Sequence, residues 1–157
     1  METSLCVGIV GSRRRATLFD RKIVHRLVEW LVHNHQKIII VSGGCPVGAD
    51  AFAEEAAKLY DQPTHIFHID KTGVSTKWQF TTKAYERNAE IAKNSDRLYA
   101  LISDDRTGGT ENTIKHALEL GKPVYLVTSN GEVYLSKDGQ NSICAPEVRL
   151  LDLNFTD

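Results

Sequence analysis

A chain of 157 residues with 41% hydrophobic and 25% charged side chains has the composition of one soluble globular domain, long enough to bury roughly two thirds of its unfolded surface. Nineteen basic against twenty acidic side chains leave a formal charge of −1. That balance excludes a global field for steering onto nucleic acid or an anionic membrane, so any anion site is local. Cys6, Cys45 and Cys144 are far apart, odd in number and form no C-x-x-C pair, which argues against a disulfide framework or a zinc site and fits a reducing cytoplasm.

Met1 to Leu5 shows no basic segment followed by an apolar run, and no stretch approaches the roughly 20 apolar residues that span a bilayer, so a cytoplasmic protein without a membrane partner is expected. Leu5 to Val10 is a nearly continuous apolar run ending at Gly11, the pattern of a strand covered on both faces. Asp20 can cap a helix running to about His33, with Ile23, Val24, Leu27, Trp30 and Leu31 along one stripe. Lys37 to Val41 reads as a second buried strand, and Ala49 to Tyr60 as an alanine-rich helix. Thr64 to Ile69 is a third strand. An irregular stretch through Gly73 to Lys77 separates it from a helix over Thr82 to Lys93. Arg97 to Ile102 is a fourth strand, Glu111 to Leu120 a helix closed by Gly121, and Pro123 to Val127 a fifth strand.

Strands alternating with helices predict parallel strands joined by right-handed crossovers: an α/β, Rossmann-like three-layer α/β/α fold with a mostly parallel sheet of about five strands. Residues 1–128 form this unit. Gly131, Gly139 and Pro146 mark 129–157 as a C-terminal β hairpin and extension of the same domain.

In an open parallel sheet, ligands bind beyond the carboxyl ends of the strands. Three unusual loops fall there: Gly11-Ser12-Arg13-Arg14-Arg15, Ser42-Gly43-Gly44 through Gly48-Ala49-Asp50, and Ser103 through Thr107-Gly108-Gly109-Thr110. Glycine lets backbone N–H groups approach an anion, and a following helix adds its partial positive end, so phosphate is the natural guest. The alternative for any one loop is a tight turn and nothing more. Asp50 can accept from a ribose hydroxyl, or simply favour its helix start. Thr110 and Thr113 hydroxyls can surround the phosphate. Glu111 can stabilise an oxocarbenium-like centre or activate water, or serve as a first-turn helix acid. One of Arg13, Arg14 and Arg15 is expected to face the ligand and the others solvent. Arg87-Asn88 can reach the rim or belong to a solvated helix face. Trp78 falls in the long loop, where it packs on the core or stacks on a base.

His33-Asn34-His35 lacks the ββ-metal frame of the nucleases that share those letters, and His65 and His68 fall on opposite faces of a strand. No metal and no cofactor is expected.

G-S-R after the first strand, S-G-G-x-x-x-G-A-D after the second, and G-G-T opening the helix before G-K-P-V resemble the SLOG superfamily of Rossmann-like proteins over Leu5 to Val127. That superfamily takes in the cytokinin-activating LOG phosphoribohydrolases, the DNA-processing DprA proteins and small stand-alone nucleotide-binding members, the last being most similar. The resemblance implies a nucleoside monophosphate or related nucleotide-derived ligand, with Gly11, Ser12, Arg13, Gly43, Gly44, Gly109 and Thr110 lining its phosphate and sugar. It also implies a homo-oligomer, a dimer or higher. LOG enzymes carry P-G-G-x-G-T-x-x-E, whereas this chain has Arg106-Thr107-Gly108-Gly109-Thr110-Glu111, so Glu111 does not correspond to their catalytic glutamate. S-G-G-C-P-V-G-A-D and Arg87-Asn88 also resemble DprA elements. Balanced charge and 8% aromatics nonetheless argue against nucleic acid.

The sequence therefore points to a protein that binds a nucleotide or nucleotide-derived signal, as a sensor or sequestering protein. The alternative is a nucleotide N-glycosidase, a hydrolase using Glu111 or Asp50 at the anomeric centre.

Overall fold

The computed structural model describes residues 4–35, 37–136 and 146–153. Gly139 and Cys144 lie outside the described residues. The elements run β1 (Leu5–Gly11), α1 (Leu18–Asn34), β2 (Ile38–Ser42), α2 (Ala49–Leu59), β3 (Thr64–Ile66), α3 (Lys77–Lys93), β4 (Arg97–Leu101), α4 (Gly109–Glu119), β5 (Val124–Val127), β6 (Glu132–Ser136) and β7 (Val148–Arg149), followed by a 3₁₀ turn over Leu150–Asp152.

All seven strands form one sheet in the order β3-β2-β1-β4-β5-β6-β7. The first five in that order pair in parallel, while β6 and β7 run antiparallel along the β5 edge. This is the expected mostly parallel Rossmann-like α/β architecture, with two more strands than the alternation of strands and helices gave. The chain progresses outward from β1 on both sides, so the β1–β4 boundary is the switch point, where crossovers diverge and leave a crevice.

The strands alternate their side chains between two cores. Val7, Ile9, Tyr99 and Leu101 pack under α1 and α2, with Ile23, Leu27 and Leu31 from α1 and Ala49, Ala53, Ala56 and Ala57 from α2. Val10, Leu98, Ala100 and Ile102 pack on the other face with Ile91 and Ala92 of α3 and Ile114 and Ala117 of α4. The alanine stripe lets α2 sit low on the sheet. A Cβ placed on Gly11 would lie 2.7 Å from Ala49 Cβ and 2.9 Å from Leu101 Cβ, so glycine is what this approach requires. No helix among the described residues is long and apolar enough to cross a membrane.

Three expected boundaries are corrected. Thr17, not Asp20, caps α1: its hydroxyl accepts from Asp20 N–H at 3.0 Å while the Asp20 carboxylate accepts from Thr17 N–H at 3.3 Å, a complete capping box. A second box, Thr76 with Gln79, starts α3 at Lys77, more than a turn ahead of Thr82. Trp78 is consequently on a helix and 75% exposed, neither in a loop nor packed on the core. β3 stops at Ile66, because an edge strand pairs on one side alone and the chain leaves β2 there.

Candidate functional site

The loops after β1, β2 and β4 meet on the carboxyl edge of the sheet around a cavity of about 470 Å³. Its floor comes from Gly11, Ser12 and Arg13 after β1 and from Gly108, Gly109, Thr110 and Thr113 at the start of α4. Asp50 of α2 enters from a second side, and Ile69, Phe80 and Tyr85 form an apolar wall.

The four helices divide by how they begin. Both α1 and α3 close their own first turns with threonine capping boxes. In contrast, α2 and α4 have glycine N-caps, Gly48 at φ 83° and Gly108 at φ 110°, and no side-chain hydrogen bond caps either. An uncapped first turn leaves backbone N–H groups to solvent or to a ligand, at the positive end of the helix dipole. The first turn of α4 lines the cavity through Gly108, Gly109 and Thr110, and α2 sends Asp50 into it.

Arg87 and Asn88, adjacent on α3, hold two of the glycine loops. Arg87 Nη1 donates to the Gly43 carbonyl at 2.6 Å, and Asn88 Nδ2 donates to the Gly109 carbonyl at 3.4 Å and to Asn112 Oδ1 at 3.2 Å. Arg87 Nε also donates to Asn88 Oδ1 at 3.1 Å, which orients the amide. This pair is half-buried and buried rather than part of a solvated helix face. Gly43 must be glycine for the arrangement, since a Cβ there would lie 2.7 Å from Arg87 Nη1 and 2.8 Å from Asp50 Oδ2.

Asp50 is buried, and desolvation pushes its carboxyl above the ordinary range. Hydrogen bonds from the Cys45 and Gly43 N–H groups and the Arg87 charge pull the other way, the Cys45 bond being 3.1 Å. Between the ordinary carboxylate range and the raised value, the folded protein keeps a proton that the unfolded chain has released. Stability therefore falls as pH rises through that window. Asp50→Asn is expected to flatten this part of the profile, read by denaturant unfolding at stepped pH; an unchanged slope would contradict the burial argument.

The three consecutive arginines have three different environments. Arg13 lines the cavity. Arg14 also borders it but is engaged by its neighbours: its guanidinium grips both Asp105 oxygens at 2.8 Å and donates to the Thr107 carbonyl and hydroxyl. Arg14 and the Thr107 hydroxyl hold the Asp105 carboxyl well below the usual range. Arg15, expected to face ligand or solvent, is instead 5% exposed. It pairs with Asp20 at 2.8 Å and donates to the carbonyls of Ile102, Val127 and Thr128 at 2.9, 2.8 and 3.0 Å. It ties the ends of β4 and β5 to the start of α1.

Of the residues singled out from sequence, Gly11, Ser12, Arg13, Asp50, Arg87, Asn88, Gly108, Gly109, Thr110 and Thr113 border the cavity. Ser42 lies beneath it, fully buried, donating to Glu54 Oε2 at 2.8 Å. Gly43 and Gly44 border a neighbouring hollow, and Gly48 is the α2 cap. Glu111 does not line the cavity: Arg106, at φ 54°, holds both its oxygens at 2.9 Å. The α3 wall was missed. Phe80, Thr81 and Ala84 recur at helical spacing toward Asn88 and Ile91, a signal that the Thr76-x-x-Gln79 box would have exposed.

No protein-family model and no curated protein matches the chain. Solved structures do. The molybdenum cofactor binding protein from the phototrophic bacterium Rippkaea orientalis superposes with a TM-score of 0.64 at 22% identity, over 82% of this chain and 78% of that one. The molybdenum cofactor carrier protein from Chlamydomonas reinhardtii gives 0.59 at 17% identity, over 80% and 78%. The structural-genomics target TM1055 gives 0.55 at 18% identity, over 76% and 72%. At these identities the likeness speaks for architecture, and this chain shares the Rossmann-like fold of all three.

Proposed function

We propose that this chain is a stand-alone SLOG-type binding protein that holds a nucleotide-like small molecule in the carboxyl-edge cavity. The phosphate sits at the first turn of α4, within reach of Arg13, and the flat ring lies against Phe80 and Tyr85. One observation supports this reading above the others: α4, whose first turn lines the cavity, begins with a bare glycine N-cap, as does α2, which sends Asp50 into it, whereas α1 and α3 cap their own first turns with threonine. The fold is that of a molybdenum cofactor binding protein and a molybdenum cofactor carrier protein, whose task is likewise to hold a small molecule.

Binding is favoured over bond cleavage by the carboxylate inventory. Glycoside hydrolysis generally uses a pair of carboxyl groups across the scissile bond. Asp50 is the one carboxylate among the described residues lining this cavity, and Glu111 is turned to Arg106.

Mass spectrometry of the denatured protein should release an intact phosphorylated ligand. A nucleoside monophosphate supplied at a hundred times its Kd should stabilise the fold by about 2.7 kcal/mol in a thermal shift assay. Release of free base during incubation would replace the sequestering role with hydrolysis, and no shift across a broad nucleotide panel would overturn the reading.

A further inference from the structure

Gly43 and Gly44 border a second hollow of about 310 Å³ that shares Arg13, Cys45, Ile69, Phe80 and Arg87 with the main cavity. The two are halves of one trough running from α4 past Arg13 to the loop after β2. The charged groups of this second half are of one sign. Arg13, Lys71 and Arg87 border it beside the His68 ring, and no carboxylate does.

Arg87 has the Asp50 charge opposite it, on the main-cavity side. The other three form no ion pair among the described residues. The His68 ring lies against the glycine loop: a Cβ on Gly44 would sit 2.6 Å from its Cε1 and 2.7 Å from its Nδ1. Cations gathered around a concavity repel one another and raise the local potential, and an anionic group seated among them relieves both effects. A guanidinium with a flexible ammonium is a phosphate-binding set.

We infer that the second hollow is a second anion subsite and that the ligand is a nucleotide with two phosphate groups. One phosphate sits at the first turn of α4 and the other beyond Arg13, toward Lys71 and His68. This rests on the phosphate-site reading of the main cavity and extends it, because a single phosphate would occupy one end of the trough and leave the other end's charge unanswered.

The test is calorimetric titration with AMP, ADP and adenosine 3′,5′-bisphosphate, on the native protein and on a His68→Ala/Lys71→Ala double variant. Both positions are exposed, so the fold should tolerate the change. In the native protein, at least one of the two-phosphate probes should bind about tenfold tighter than AMP, the size of one charge-assisted contact. The double variant should lose that preference and keep its AMP affinity within about twofold. Equal affinities for all three in the native protein overturn the second subsite, as does a double variant that keeps the preference or weakens AMP equally. Failure of all three probes to bind overturns the main-cavity reading itself, and this inference with it.

Discussion

Gly109→Asp is expected to weaken phosphate binding strongly while leaving the fold at least as stable as before. Gly109 is the first residue of α4, outside the left-handed region, and a Cβ built there meets nothing within 4 Å. A carboxylate in an open first helical turn favours the helix by about 0.3–1 kcal/mol through the dipole. The same carboxylate would occupy and repel the position assigned to the ligand's phosphate, so the affinity for a nucleoside monophosphate should fall by about a hundredfold, the loss of one or two charge-assisted hydrogen bonds. Gly109→Ala is the control and should bind nearly as the native protein does. Calorimetry reads the first effect and the urea midpoint the second. An aspartate variant that binds normally would remove α4 from the anion site. Gly108 cannot be used the same way, because its φ of 110° strains any L side chain whatever the charge.

Arg15→Met should lower the free energy of unfolding by about 3–5 kcal/mol, the usual result of removing one partner from a buried ion pair. The change strands Asp20, whose side chain is 7% exposed, and withdraws donors from three strand-end carbonyls at once. Arg15→Lys should recover little, since one ammonium cannot reproduce the planar fork that spans Asp20, Ile102, Val127 and Thr128. Adding Asp20→Asn to Arg15→Met should restore part of the loss by removing the uncompensated charge, and the remainder measures the carbonyls. A change below about 1 kcal/mol for Arg15→Met, in the range of an exposed pair, would contradict the buried geometry.

Legibility in the sequence followed the physics of each element. The strands β1, β2, β4 and β5 are apolar runs covered on both faces, so burial writes them directly into composition. The helix α3 starts in a polar stretch whose first turn faces solvent, as Trp78 shows, so periodicity sets in only after the helix is under way. The glycine loops were visible because backbone conformation demands a residue type. What those loops touch was not. Arg15 stands between Arg14 and Ala16 with no local mark of burial; its fate depends on carbonyls 87, 112 and 113 residues away. Glu111 read as a candidate catalyst because no sequence rule places Arg106 in the left-handed conformation that brings its guanidinium back onto that carboxylate.

The adjacency of Arg87 and Asn88 limits how freely the loops of the site move. Two loops that end different strands are bonded to neighbouring residues on one helix, where the axial rise is about 1.5 Å per residue. Both loops are thus tied to one short stretch of helix, and a displacement of α3 pulls on both together. A ligand entering such a site finds its donors already ordered and forfeits less loop entropy than it would in organising two independent segments. Affinity gained this way adds to whatever contact Arg87 and Asn88 themselves make at the cavity wall, and it would fall with a change at either residue.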